Sequence, residues 1–224
     1  MSHFEIEVKS LLGDESVANR LKEKMCELDP ECVMVGSNKQ LNHYFEGGDM
    51  EQLLQNVKDL FTEEQQVKLR TTIERGTEFS IRTRQKDDEI LLVLKASIDE
   101  GTSANTVKRI EFEEPVSITL DELDEKLLSA GFTYQAKWSR EREEYAYKGA
   151  NVCLDKNAGY GYLAEVEKIV HDESLADAVR AEIDVVMAEL ELIELEQEKL
   201  ARMFAHYNAN WPEYYGTDKI FVIE

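Results

Sequence analysis

Apolar and polar residues alternate over residues 3–12. Phe4, Ile6 and Val8 fall on one side, and Glu5, Glu7 and Lys9 on the other. A period of two is that of an extended strand with one buried face. Similar stretches over 33–46, 78–86, 89–98, 105–114, 133–147, 150–156 and 161–170 predict about eight strands in all. Short polar connections such as Gln85-Lys86-Asp87-Asp88-Glu89 read as hairpins, and Gly159 with Gly161 marks the turn before the last strand. Helical periodicity fills the longer gaps. Residues 14–28 carry Val17, Leu21 and Met25 on one face. Asp49 with Gln52, and Thr62 with Gln65, open two helices within 49–75, the first lined by Leu53, Val57 and Leu60. Thr119 with Glu122 caps a helix bearing Leu123, Leu127 and Leu128 that stops at Gly131. Residues 173–208 read as helical on Leu175, Val179, Ile183, Val186, Leu200, Phe204 and Tyr207.

This alternation predicts an α+β protein. With only Pro30, Pro115 and Pro212 as interruptions and no Gly/Ser-rich linker, residues 1–224 read as a single domain. A helical insertion occupies about 49–75, and a helical and aromatic extension about 191–224. The segment Trp211-Pro212-Glu213-Tyr214-Tyr215 is expected to pack on the outside of the body, with covering of a site opening as the alternative.

Composition narrows the picture. Among 224 residues, 26 Lys plus Arg against 47 Asp plus Glu give a formal charge of 26 − 47 = −21. At 42% hydrophobic residues the chain has material for a packed core, which excludes disorder. The longest aliphatic run, Ile90-Leu91-Leu92-Val93-Leu94, is far short of a membrane span. The N-terminal segment has no basic flank or apolar stretch and predicts no secretory signal. Cys26, Cys32 and Cys153 form no CxxC pair and suit reduced thiols in the cytoplasm. The histidines His3, His43, His171 and His206 are too scattered for a histidine-bound zinc. So negative a chain is expected to avoid duplex nucleic acid and anionic membranes, unless its cations gather in one place.

The placement of charge on the strands is the informative feature. Glu5/Glu7, Arg82/Arg84, Arg140/Arg142 and Glu165/Glu167 repeat the same sign at i, i+2, about 7 Å apart on one face. Lys95 ends one apolar run, Arg109, Glu111 and Glu113 share a face, and Asp155 stands on the seventh strand. An ordinary solvated face would mix signs, because like neighbours repel. Clustered carboxylates without His or Cys form a hard oxygen site that suits Mg²⁺ or Mn²⁺. Arginines match phosphate oxygens two at a time, and lysines add point charges. A polyphosphate would engage both sets. If the strands close into an eight-stranded antiparallel β-barrel, the charged set lines a lumen while the apolar faces pack on flanking helices.

Glu5-Ile6-Glu7-Val8-Lys9 resembles the ExExK signature of the CYTH superfamily, the triphosphate tunnel metalloenzymes. Its further motifs resemble this chain in order. They are Asn42-His43-Tyr44-Phe45-Glu46, Arg82-Thr83-Arg84, Leu92-Val93-Leu94-Lys95, Arg109-Ile110-Glu111-Phe112-Glu113 and Arg140-Glu141-Arg142-Glu143-Glu144-Tyr145. Leu154-Asp155 with Gly161-Tyr162-Leu163-Ala164-Glu165-Val166-Glu167 completes the series. Glu46 stands where Asp is common and Arg140 where Lys is frequent, and both keep the charge. The resemblance runs from residue 4 to about 190, outside the insertion at 49–75 and the tail after 200.

The resemblance implies a tunnel enzyme that cleaves or rearranges a small-molecule triphosphate with Mg²⁺ or Mn²⁺. By position, Glu5, Glu7, Asp155, Glu165 and Glu167 would ligate metal, and Glu111 and Glu113 a second metal or its waters. Lys9, Arg82, Arg84, Lys95, Arg109, Arg140 and Arg142 would bind phosphate oxygens, with Lys9, Glu5 and Glu7 as the catalytic candidates. Lys137 fits either the tunnel mouth or the surface. Hydrolysis is the first expectation, because no adenine-recognition motif is readable. A class IV adenylyl cyclase making cyclic AMP and pyrophosphate is the alternative, and a non-catalytic polyphosphate-binding module the third reading. Monomer and homodimer both stay open.

Overall fold

The computed structural model describes residues 4–98, 108–170 and 173–223. The side chains of Glu5 and Arg109, both expected at the site, lie outside the described residues. Eight strands form: β1 (Phe4–Gly13), β2 (Val33–Gly47), β3 (Phe79–Lys86), β4 (Glu89–Ile98), β5 (Lys108–Val116), β6 (Phe132–Tyr147), β7 (Ala150–Asn157) and β8 (Gly161–Val170). Six helices accompany them: α1 (Glu15–Leu28), α2 (Met50–Val57), α3 (Glu63–Arg75), α4 (Leu120–Ser129), α5 (Ala176–Glu189) and α6 (Gln197–Asn210). The strands belong to one antiparallel sheet ordered β1-β8-β7-β6-β2-β3-β4-β5. Closing it would require a ladder between β1 and β5, and none forms among the described residues. The expected eight antiparallel strands are found, while their closure into a barrel is not shown by hydrogen bonds among the described residues.

The described residues divide into two compact units, one of residues 1–39 with 139–224 and one of residues 40–138. In the first unit, Val8, Val152, Leu154, Ala164 and Val166 form the sheet side of a core. Leu21 and Met25 of α1, with Ile183, Val186 and Met187 of α5, form its helical side. In the second unit Phe45, Ile81, Leu92, Leu94 and Phe112 pack with Leu53, Val57, Leu69, Leu123 and Leu127 from α2, α3 and α4. Each fully buried leucine there contributes roughly 2 kcal/mol of transfer free energy. Within each unit one face of the strands is thus covered by helices, and the charged residues occupy the alternate positions.

Local signals account for the helix starts. The Asp49 carboxylate accepts from the backbone N–H groups of Glu51 and Gln52, and Thr62 and Thr119 form reciprocal capping boxes with Gln65 and Glu122. The long helical reading over 173–208 breaks in two. The backbone turns at Glu191, whose φ is +56°, and the N–H of Leu195 donates to the carbonyl of Lys9 at 2.7 Å. Glutamates at 189, 191, 194, 196 and 198 crowd like charge at helical spacing. Burying Leu190, Leu192 and Leu195 on the strand side ends the contest. The aromatic tail packs on the β7–β8 turn, where the N–H of Phe221 donates to the Gly159 carbonyl at 2.8 Å and Tyr160 meets Tyr207 and Phe221 edge-on.

Candidate functional site

In the first unit, register decides which charges meet. The β1–β8 ladder sets Lys9 opposite Glu165 and Glu7 opposite Glu167. The β7–β8 ladder adds Cys153 opposite Glu165 and Asn151 opposite Glu167, and β6–β7 sets Arg142 opposite Asp155. Alternation puts all of these on one face. Carboxylate oxygens of Glu7, Glu165 and Glu167 come within 4.8 Å of one another. Lys9 Nζ lies 2.9 Å from Glu7 Oε1 and 2.9 Å from Glu165 Oε1. Arg142 grips Asp155 with both ends of its fork, Nε to Oδ1 at 2.7 Å and Nη2 to Oδ2 at 2.6 Å, while Nη2 also reaches Glu165 Oε2 at 2.5 Å. Arg140 Nη1 donates to Asp155 Oδ2 at 3.1 Å, and Asn151 Nδ2 to Glu167 Oε1 at 2.6 Å.

The electrostatics follow from these contacts. Burial would raise the pKa of Glu165, but Lys9 and Arg142 hold it below the usual carboxylate value. Burial likewise pushes Lys9 down, and Glu165 and Glu7 more than reverse that. Burial, opposed by Arg142, pushes the Cys153 thiol up to about 12, so at neutral pH the site offers no thiolate. What remains is a donor set of carboxylate oxygens, which fits a hard divalent cation such as Mg²⁺ or Mn²⁺.

In the second unit, the β2–β3 ladder sets Asn42 opposite Arg84 and Tyr44 opposite Arg82. Arg84 Nε donates to Asn42 Oδ1 at 2.8 Å and its Nη1 to Glu113 Oε1 at 2.7 Å. Arg82 Nη1 donates to the Tyr44 hydroxyl at 2.6 Å. The Arg82 Nε is buried without a hydrogen-bond partner among the described residues, a donor suited to an anionic oxygen. Lys95 pairs with Glu111 at 3.1 Å. Glu111 and Glu113 are thus engaged by cations. The half-buried Lys137 has its Nζ 4.1 Å from the centre of the Tyr134 ring and 3.9 Å from Asp124 Oδ2.

The structure therefore groups Glu7, Lys9, Arg140, Arg142, Asp155, Glu165 and Glu167 in one unit. Arg82, Arg84, Lys95, Glu111 and Glu113 share a strand face in the other. Sequence reasoning missed Asn151, and missed Asn42 and Tyr44 as partners of the arginines. It also missed Asp124, which receives hydrogen bonds from three elements. The signal for Asp124 was present, because it lies four residues after Leu120 on the apolar stripe of α4.

The family model for the CYTH domain matches residues 3–204. No curated protein sequence matches the chain. Among solved structures, the PH1819 protein of Pyrococcus horikoshii OT3 is 20% identical with a TM-score of 0.58, covering 91% of this chain and 99% of its own. A candidate adenylate cyclase of Vibrio parahaemolyticus is 14% identical with a TM-score of 0.57, covering 92% and 99%. HpAC1 of Hippeastrum is described as a candidate adenylyl cyclase with a dominant triphosphatase activity. It is 17% identical with a TM-score of 0.51, covering 91% and 96%. At these identities the likeness is one of fold. Among the described residues no helix is long and apolar enough to cross a membrane.

Proposed function

The chain belongs to the CYTH family, and from that premise we propose that it is a divalent-metal-dependent triphosphatase hydrolysing tripolyphosphate or an organic triphosphate. The observation that carries this reading is the cluster of Glu7, Glu165 and Glu167 oxygens, within 4.8 Å of one another and bordered by Lys9 and Arg142. A bound Mg²⁺ or Mn²⁺ would neutralise polyphosphate charge and lower the pKa of an attacking water. Glu7, Glu165 and Glu167 would hold it, joined by Glu5 and Asp155, and Glu111 and Glu113 would exchange Lys95 and Arg84 for a second ion or its waters. Lys9 would exchange a carboxylate for a phosphate oxygen. Arg82, Arg84, Lys95, Arg109, Arg140 and Arg142 would stabilise the charge that develops as the P–O bond breaks. Closure of the sheet into a tunnel, a single-domain organisation and a cytoplasmic location belong to the same proposal.

Cyclisation of ATP would use the same groups with a ribose hydroxyl as nucleophile. Hydrolysis ranks first because it needs no base pocket. A binding module would not need to keep so many acids. The test is phosphate release from tripolyphosphate with Mg²⁺ or Mn²⁺, before and after chelation, in the wild type and in Glu165→Gln. Release that stops on chelation and is lost in the variant is the expected result. Release that survives both contradicts the reading.

A further inference from the structure

We propose that Asp124 is a positioning residue for the phosphate-binding arginines, holding from α4 the strand pair whose other face carries Arg82 and Arg84. The inference rests on the phosphate-binding reading of those two side chains. His43 stands opposite Thr83 in the β2–β3 ladder, between the Asn42–Arg84 and Tyr44–Arg82 pairs. Alternation turns His43 and Thr83 to the helix-covered face and their neighbours to the charged one. Both meet a single carboxylate, with His43 Nδ1 2.6 Å from Asp124 Oδ2 and the Thr83 hydroxyl donating to Oδ1 at 2.5 Å. The Tyr134 hydroxyl of β6 donates to Oδ2 at 2.7 Å.

This carboxylate is out of water, with Asp124 2%, His43 3% and Thr83 0% exposed. A purely apolar contact would hold α4 on the sheet as well, and Leu123 and Leu127 already supply one. An ionised carboxylate with three directed contacts adds something a leucine does not. It fixes the relative height of two adjacent strands at one residue pair, flanked on either side by a guanidinium and its partner. Arg84 Nε and Arg82 Nη1 then hold bonds whose acceptors, Asn42 and Tyr44, stand on the other strand of that pair. Sliding or tilting one strand against the other would move donor from acceptor in both.

The test is Asp124→Asn in the full chain. Asparagine offers one acceptor oxygen instead of two and turns an NH₂ group toward donors. Three readouts are expected to move together or stay as stated. The Arg84 Nε–H resonance of the ligand-free protein shifts. Tripolyphosphate affinity falls about tenfold, as for loss of a hydrogen bond to a charged group. Mn²⁺ affinity stays within about twofold of wild type, which a variant unfolded in large part would not show. In the double variant with Arg84→Ala, the part of the Asp124→Asn loss that runs through Arg84 disappears, so the combined loss is smaller than the sum of the two, while the part through Arg82 stays. Thr83→Val, which removes one of the three contacts at nearly constant shape, gives a smaller shift in the same direction and serves if Asp124→Asn does not fold. An unmoved Arg84 resonance, or losses that simply add in the double variant, overturns the proposal. A wild type that binds no tripolyphosphate overturns the phosphate reading instead, and the resonance alone then decides the positioning.

Discussion

Lys9 stands directly across the β1–β8 ladder from Glu165, and its ammonium bonds that carboxylate at 2.9 Å. The same nitrogen lies 2.9 Å from Glu7. One cation thus separates two of the three acids that cluster in the first unit. In the functional reading it is a counter-ion until substrate arrives, and then a phosphate ligand. Replacing Lys9 with Ala is expected to leave Mn²⁺ affinity equal or higher, since a competitor for the oxygens is gone. Triphosphate turnover should fall by roughly 100-fold, the usual cost of losing a preorganised charge-stabilising group. Manganese titration with phosphate-release kinetics checks both; turnover within a few-fold of wild type would remove Lys9 from the chemistry.

Arg142 is held by Asp155 and Glu165, which are 1% and 11% exposed in their side chains. Breaking a pair this buried leaves a carboxylate uncompensated. Arg142→Ala should cost about 3–5 kcal/mol in urea unfolding. Arg142→Lys keeps the charge but cannot reproduce the fork, so it should fall between the two. A loss below about 1 kcal/mol for the alanine variant would mean that the acids are solvated in solution.

The pH dependence of stability isolates the second unit. Burial would raise the Asp124 pKa, and the contacts from His43, Thr83 and Tyr134 outweigh it, leaving it below the ordinary aspartate value. Stability from a depressed carboxylate is fully present above the unfolded pKa, about 3.9, and is lost as pH falls through the lower folded value. Thermal melts of Asp124→Asn should therefore decline less steeply than wild type below about pH 4. Parallel curves would show that Asp124 carries no such linkage.

Gly161 tests the entry to β8. Its φ is +72°, and a Cβ there would lie 2.1 Å from the backbone oxygen of Gly13. Gly161→Ala combines strain with a backbone clash and should lower stability by about 2 kcal/mol or more. An unchanged melting temperature would contradict the close approach of β1 and β8 at this point.

Much of this was legible in the chain, for identifiable reasons. Alternation on each strand named the charged faces, because period two needs only local sequence. The capping residues Asp49, Thr62 and Thr119 marked helix starts for the same reason. What local sequence does not carry is pairing across distance. That Glu7 lies opposite Glu167, 160 positions later, depends on which strands become neighbours. Asn151 acquired its role through that same register. The break near Glu191 was hidden because the hydrogen bond that stabilises it, Leu195 to Lys9, is tertiary. Asp124 was readable as a charge on an apolar stripe, but its partners on β2, β3 and β6 were not.

The most direct test of the central claim is product identification by phosphorus NMR after incubation of the full chain with Mg²⁺ or Mn²⁺ and tripolyphosphate, and separately with ATP. The account predicts phosphate with pyrophosphate from tripolyphosphate, and phosphate with no cyclic nucleotide from ATP. Cyclic AMP with pyrophosphate from ATP, or no turnover of either compound, would contradict it.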